Sequence, residues 1–316
     1  MTPGNIQTDQ TQCYDEAGNI IACPGTGQDA AYRAGRVWPN PRFFEKSDTV
    51  TDTLTGLMWP QNAGLFEFPL SFNEALDAVE EMNRARMFGL SDWRLPERHE
   101  LFSLVSHANI NPALPADNPF LNVFPGYYWT ATHCARFVRQ AWYIHLGGGR
   151  VVKGMKNSSY MVWPVRRIYE KNQSADGFAG SGGLKNRFTL DRETFFDRCT
   201  GLMWAKNADI ASGPVRWMDA LKTIKAINKN KEYGYTDWRL PNIRELDSMT
   251  DMDRHSPAVA GYDRFENIQP FYWSSTTSIY DPAYAWALYT EDGNLGVGYK
   301  SNPEFFVWCV RDGILG

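Results

Sequence analysis

Apolar positions along the chain follow one succession of rhythms, and that succession occurs twice. A strand or two lead into Gly56-Leu57-Met58-Trp59, followed by a loop. Ser71-Phe72-Asn73-Glu74 then has the form of a capping box, and Phe72, Leu76, Val79 and Met82 recur at helical spacing, so a helix with one apolar face is predicted up to Gly89. Pro96 sits where a proline opens a second helix, with Leu101, Leu104 and Val105 facing inward. A Pro-rich loop from Asn109 to Gly126 follows, and then short strands at Tyr128-Trp129, Ala141-Trp142 and Val162-Trp163. The second pass has Gly201-Leu202-Met203-Trp204, a stripe of Trp217, Leu221, Ile224 and Ile227 ending at Gly234, Pro241 before Leu246 and Met249, and strands at Tyr272-Trp273, Ala285-Trp286 and Val307-Trp308. Two helices followed by a run of short strands is an α+β pattern.

The two passes are copies. Ser91-Asp92-Trp93-Arg94-Leu95-Pro96 returns as Thr236-Asp237-Trp238-Arg239-Leu240-Pro241 at an offset of 145. The Thr-Gly-Leu-Met-Trp block and the terminal Val-Trp and Arg166/Arg311 keep that offset, while the Tyr-Trp and Ala-Trp blocks return at 144. A period this long marks whole domains in tandem, since solenoid repeats run to roughly 20–50 residues. The expected organisation is an N-terminal segment over 1–36, a first repeat over 37–169, a Gly/Ser-rich linker over 170–183 and a second repeat over 184–316.

Composition narrows the class. Aromatic residues make up 14% of the chain, with 12 Trp, which favours a loop-rich fold held by ring packing. A net charge of −4 offers nothing to nucleic acid as a whole, and no stretch approaches the roughly 20 apolar residues of a membrane span. The first dozen residues are polar, so no signal peptide is expected among them.

Cysteine placement then points to an oxidising compartment. Cys13 and Cys23 bracket a predicted hairpin turning at Gly18-Asn19, and a bridge there stabilises by roughly 3 kcal/mol. Cys199 and Cys309 open and close the second repeat, where the first has Leu54 and Pro164. Joint presence in one copy and joint absence from the other predicts a second disulfide and leaves Cys134 free. The expected location is therefore extracytoplasmic (periplasmic, cell-surface or secreted), the leader already removed.

Thr-Gly-Leu-Met-Trp, Asp-Trp-Arg-Leu-Pro-x-x-x-Glu-Leu, Tyr-Trp-Thr/Ser, Ala-Trp and Val-Trp-Cys-Val-Arg together resemble the family named after the C-terminal domain of the Legionella collagen-like adhesin. The resemblance spans both copies. It implies an α+β fold of two tandem C-type-lectin-like domains, each with two helices and short antiparallel strands, related to the formylglycine-generating enzyme. It also implies an exported bacterial protein, and the family's namesake binds sulfated glycans. Without a Gly-X-Y tract no collagen stalk is implied. The family's terminal cysteine is Cys309 in the second repeat and Pro164 in the first.

The duplication separates scaffold from use. Residues kept in both copies serve the fold first: Asp92, Trp93, Arg94 and Glu100, with Asp237, Trp238, Arg239 and Glu245, read as a buried Arg–carboxylate network in preference to an acid–base pair. None of the five histidines is shared, and none has metal-ligand spacing. His133-Cys134 are adjacent, and adjacent strand residues face opposite sides, which argues against a Cys/His nucleophile. No catalytic centre, metal site or cofactor is expected. Asp281, Glu291, Asp292 and Asn294 offer oxygen ligands to calcium but also make an ordinary hairpin turn.

Charge is the sharpest divergence between copies. Tyr127 to Tyr169 holds seven Arg or Lys and no acid, whereas Phe271 to Leu315 holds two basic and five acidic residues. Arg136, Arg139, Arg150, Lys153 and Lys156, which lack a basic counterpart in the second copy, and Tyr127, able to stack, are the candidate ligand residues. The expected partner is an anionic or sulfated polysaccharide or a surface protein. The alternative is a structural subunit of a surface or periplasmic assembly, packing by its aromatic-rich faces and so compatible with an oligomer.

Overall fold

The structure, a computed structural model, describes residues 6–168 and 187–313. The expected linker, 170–183, lies outside the described residues. The chain divides into two compact units, Val37–Ala175 and a second made of Met1–Arg36 with Asp176–Gly316.

The N-terminal segment contains β1 (Cys13–Tyr14), β2 (Ile20–Ile21) and the single helical turn α1 (Asp29–Tyr32). The first repeat has β3 (Phe43–Lys46), β4 (Thr49–Asp52), β5 (Leu57–Pro60), α2 (Phe72–Arg84), α3 (Arg98–Ser103), β6 (Tyr127–His133), β7 (Gln140–His145), β8 (Arg150–Met155) and β9 (Arg166–Arg167). The second repeats this order as β10 (Phe188–Asp191), β11 (Thr194–Asp197), β12 (Leu202–Ala205), α4 (Trp217–Asn230), α5 (Ile243–Ser248), β13 (Phe271–Thr277), β14 (Tyr284–Tyr289), β15 (Asn294–Tyr299) and β16 (Val310–Asp312). Both copies are mixed α+β, and their named strands pair antiparallel.

Each repeat closes on itself through its last strand. β9 returns to pair with β5, and β16 with β12, so both four-stranded sheets join the start of a repeat to its end. The other sheet of each repeat is built on two hairpins, β6–β7–β8 or β13–β14–β15. Both copies carry the same register shift, between Trp129 and His133 and between Trp273 and Thr277.

Tryptophans fill the cores. Trp59, Trp129, Trp142 and Trp163 are buried in the first repeat, and Trp204, Trp273, Trp286 and Trp308 in the second. Four of these buried indoles give their N–H to a backbone carbonyl, while among the described residues the N–H groups of Trp59 and Trp204 find no partner. Trp129 donates to Leu70 O at 2.9 Å and Trp163 to Pro60 O at 3.0 Å; Trp273 and Trp308 make the equivalent bonds to Val215 O and Ala205 O. Both helix starts read from sequence are present with one correction. α2 is capped by Ser71 with Glu74 in a full capping box. α3 and α5 begin after the prolines, with Glu97 and Asn242 as their N-caps.

The α2 stripe needs a second correction. Phe72, Val79 and Met82 are buried, joined by Ala75, while Leu76 stands 45% exposed. Its counterpart Leu221 is 2% exposed. The difference comes from outside the repeat: Gly27 of the N-terminal segment lies against Leu221, where an added Cβ would come within 3.6 Å of Cδ2.

That segment precedes the first repeat in sequence yet packs on the second. The Thr8 and Thr276 hydroxyls both donate to Asp29 Oδ2 at 2.7 Å. Gln10 exchanges two hydrogen bonds with the Thr277 backbone. Lys300 Nζ donates to Asp15 O at 3.2 Å and lies 4.2 Å from the Trp217 ring centre. Cys13 and Cys23 are disulfide-bonded, closing the β1–β2 hairpin as read from sequence.

The second predicted disulfide is not present: Cys199 and Cys309 are free, as is Cys134. The Cys309 carbonyl accepts from Ala205 N, which sets Cys309 beside Ala205, whereas Cys199 lies in the turn before Leu202. The strand from Leu202 to Ala205 alone spans about 10 Å, beyond the roughly 7 Å over which two Cα atoms can be bridged. The two cysteines therefore occupy separate sites, Cys309 buried and Cys199 part-buried. Leu54, in the place of Cys199, is buried, and a free cysteine behaves as a small hydrophobe. Denatured chain without reductant is expected to titrate three thiols, and reduced chain five; one thiol before reduction would restore the second bridge.

Burial pushes the Asp29 carboxyl up from 3.8 to about 6, against the hydrogen bonds from Thr8 and Thr276. The raised value means the docked segment favours the neutral acid. Docking is then strongest below about pH 4 and weakens as pH rises through about 6. Exchange protection of amides in residues 7–33, corrected for intrinsic rate, is expected to fall across that window, and Asp29→Asn to flatten the fall.

Candidate functional site

The shared charged residues form three ion pairs, each made twice. Arg166 grips Asp92 through Nε and Nη2 at 2.7 and 3.1 Å, and Arg311 grips Asp237 at 2.7 and 3.0 Å. Arg94 pairs with Glu100, and Arg239 with Glu245. A third pair, missed in the sequence, is Arg42–Asp52 and Arg187–Asp197, both bidentate. Its signal was available, since both partners recur at 145.

These carboxylates are committed to structure. Glu100 and Glu245 also accept the N-cap amides of Glu97 and Asn242, fixing the first turn of α3 and α5. Burial works to raise the Glu100 carboxyl, but the hydrogen bond and charge of Arg94 hold it below its ordinary value. Both oxygens of Glu100 are taken, by Arg94, Arg167 and the N-cap amide. Glu245 is held through Oε2 alone, by Arg239 and the Asn242 amide, and burial pushes its carboxyl above its ordinary value.

The six candidate ligand residues do not converge. Strand alternation and the β6–β7–β8 register sort the sheet into two faces. Tyr127, Trp129, Tyr143, His145, Arg150, Val152 and Gly154 share one; Trp142, Lys153 and Met155 share the other. Lys153 Nζ therefore sits over the Trp142 ring, 5.7 Å from its centre, on the α3 side, away from Arg150. Arg136 and Arg139 lie in the β6–β7 loop, at the end of the sheet opposite Arg150. Lys156 joins them there, its backbone N–H bonded to Arg139 O. The five steps from Arg150 to Met155 alone separate these groups by roughly 17 Å.

Two clusters result. At one end, Tyr127, Tyr143, Tyr160 and His145 form a continuous aromatic surface: Tyr143–Tyr160 centroids are 4.4 Å apart, Tyr127–His145 4.8 Å, Tyr127–Tyr143 5.0 Å and Tyr127–Tyr160 5.4 Å. Tyr127 is 43% exposed, and Tyr143, Tyr160 and His145 are half-buried. Gly154 makes room for it, since a Cβ there would meet Tyr143 at 2.6 Å and the Tyr160 hydroxyl at 2.8 Å. Arg150 is exposed directly across from His145 in the ladder. Burial, and then the nearby Arg150 charge, lower His145 from its ordinary value, so Arg150 is the cation of this surface at neutral pH. Sequence reading picked out Tyr127 and Arg150 but missed Tyr143 and Tyr160, which period-2 alternation along β7 and the Phe305 counterpart of Tyr160 could have supplied.

The second repeat builds the same surface in different chemistry. Phe271, Tyr289 and Phe305 stand for Tyr127, His145 and Tyr160, with Ala287 for Tyr143 and Asn294 for Arg150. Rings still meet, Phe271–Tyr289 at 5.2 Å and Trp273–Phe305 at 4.3 Å, but the cation and all three tyrosine hydroxyls are gone, and the one hydroxyl present, on Tyr289, stands where the first repeat has His145.

At the other end, Ser71, Glu74, Val138, Arg139, Met155 and Lys156 line a cleft of about 710 Å³. Here one expectation fails. Lys156 does have a basic counterpart, Lys300. The 144 offset aligns them, both backbone carbonyls accept from the first residue of the long helix, Phe72 or Trp217, and both ammonium groups lie over that residue's ring. Lys156 thus belongs to the shared frame. The Thr290–Gly293 stretch is the β14–β15 turn, with Asn294 bonded to Asp292. Among the described residues no group of three His, Cys, Asp or Glu could hold a metal ion. Among them, too, no helix is long and apolar enough to cross a membrane.

The molecule is thus two copies of one ion-paired α+β module. Residues 48–166 and 193–311 each match the Lcl C-terminal domain, and the chain belongs to that family. No curated protein matches it.

Glu245→Ala, which removes the buried acid of Arg239 and leaves it only the exposed Asp312, is expected to cost about 3–5 kcal/mol in chemical denaturation. Asp92→Asn, at a carboxylate 56% exposed, is expected to cost no more than about 1 kcal/mol.

Proposed function

We propose that this is a non-enzymatic, extracytoplasmic recognition protein whose C-type-lectin-like first repeat binds an anionic or sulfated polysaccharide. Family membership is consistent with a surface or recognition role, and the Cys13–Cys23 bridge suits an oxidising compartment. One observation carries the finer reading: the Tyr127–Tyr143–Tyr160 surface beside Arg150, whose equivalent in the second repeat lacks the cation. Phenol rings offer an apolar face for a sugar ring and a hydroxyl at the edge. Arg150 offers a fork matched to sulfate or carboxylate. Non-catalytic use is supported by the shared carboxylates, which are tied up in ion pairs, and by the burial of Cys134 beside the exposed His133.

The alternative, an assembly subunit of a surface or periplasmic complex, draws on a different face of the same repeat, where apolar side chains stand exposed.

Retention on immobilised heparin is expected to fall with salt and to drop on the order of tenfold in affinity with Arg150→Glu or Tyr127→Ala. Arg139→Glu changes the same charge as Arg150→Glu and is expected to matter less. Absence of retention at low salt, or equal loss from both arginines, would remove this reading.

A further inference from the structure

The two repeats present the same face, and in one of them it is covered. On the second repeat the Cys13–Cys23 hairpin and its flanks bury Leu221, Thr276, Thr277 and Lys300, none more than 5% exposed. The hairpin turn is fitted there closely, a Cβ at Gly18 meeting Ala283 N at 3.0 Å. On the first repeat the equivalent positions are Leu76, Thr132, His133 and Lys156, with Arg139 in place of Ala283. Leu76 is 45% exposed and the neighbouring Val138 83%, and the 710 Å³ cleft opens between α2 and the β6–β7 loop.

We propose that this bare face is a docking surface for the Cys13–Cys23 hairpin of a second copy of the chain. Shape is supplied by the repeat itself: the ring of Phe72 under Lys156 reproduces Trp217 under Lys300, the arrangement on which the hairpin already rests. Charge favours the exchange. Between its cysteines the hairpin carries Asp15 and Glu16 and no Lys or Arg, and it leaves a loop reading Tyr280-Asp281-Pro282-Ala283 for one reading Arg136-Phe137-Val138-Arg139. The only carboxylate lining the cleft, Glu74, is turned back onto Ser71 N.

The occupant is limited to the hairpin half of the segment. The socket that takes Asp29 on the second repeat is filled on the first by Glu97, which accepts the Thr132 hydroxyl at 2.7 Å. α1 therefore has no seat there. Because the hairpin leads into the first repeat of its own chain and would dock on that of another, the contact is head-to-tail and builds rings or open chains in place of a two-fold dimer.

Sedimentation of the full chain at low salt is expected to show concentration-dependent association, weakened roughly tenfold by Leu76→Glu or Arg139→Glu, both on exposed positions, as a lost contact at the centre of an interface does. Excess oxidised peptide of residues 8–28 is expected to dissociate it, and Arg150→Glu to leave it unchanged. A chain that stays monomeric at every concentration overturns the proposal. So does association indifferent to both substitutions and to the peptide.

Discussion

The fold depends on a guanidinium between a strand and a helix. Arg94 and Arg239 sit in the Asp-Trp-Arg-Leu-Pro stretch, bridge by backbone to Val165 or Val310 in the returning chain, and by side chain to Glu100 or Glu245 in the short helix. That helix has only 6 residues, too few to be stable alone. What holds it is the carboxylate, which at once pairs with arginine and accepts the N-cap amide. The next residue, Arg166 or Arg311, reaches back to Asp92 or Asp237, so the same stretch is fastened to the last strand by backbone and by side chain. The middle and the end of each repeat meet at these pairs. A buried pair of this kind adds little net energy over an apolar core but is costly to break halfway, which is why both partners stay together in both copies.

Around this frame the copies diverge where the frame is indifferent. The triad itself shows it. Arg167, which joins Arg94 on Glu100, becomes Asp312, which joins Glu245 on Arg239. One copy has two cations on one acid, the other two acids on one cation. The β6–β7–β8 sheet diverges more freely, because the pleat fixes which side chains share a face without fixing what they are. Tyr127, Tyr143 and Arg150 in one copy, and Phe271, Ala287 and Asn294 in the other, occupy one geometry, the first with a cation and the second without.

Repetition made the scaffold legible. Asp92, Arg94, Glu100 and Arg166 were assigned to the frame from their recurrence alone, and each is ion-paired in both copies. What recurrence could not tell is how far positions stand from one another in space. Seven basic residues close in sequence look like one patch, yet a six-residue strand carries Arg150 and Lys156 to opposite ends of a sheet and turns Lys153 to its other side. The cysteine inference failed for the same reason: Cys199 and Cys309 share a history without sharing a neighbourhood. Lys156 finds its match, Lys300, only at the 144 offset, because the one-residue slip falls after β8.

Leu76 shows the limit of reading a helix by its own stripe. Its spacing marks it as a core residue, and Leu221 at the same place is one, but only because a segment nearly 200 residues away in sequence lies across it. An amphipathic face states what must be covered, not by what. The second repeat answers with the N-terminal hairpin, held by a buried carboxyl between two threonine hydroxyls and by a lysine under a backbone carbonyl. The first repeat keeps the leucine, the ring and the lysine of that surface and substitutes Glu97 for the missing acid, so it satisfies its buried polar groups without the cover while leaving its apolar ones to water.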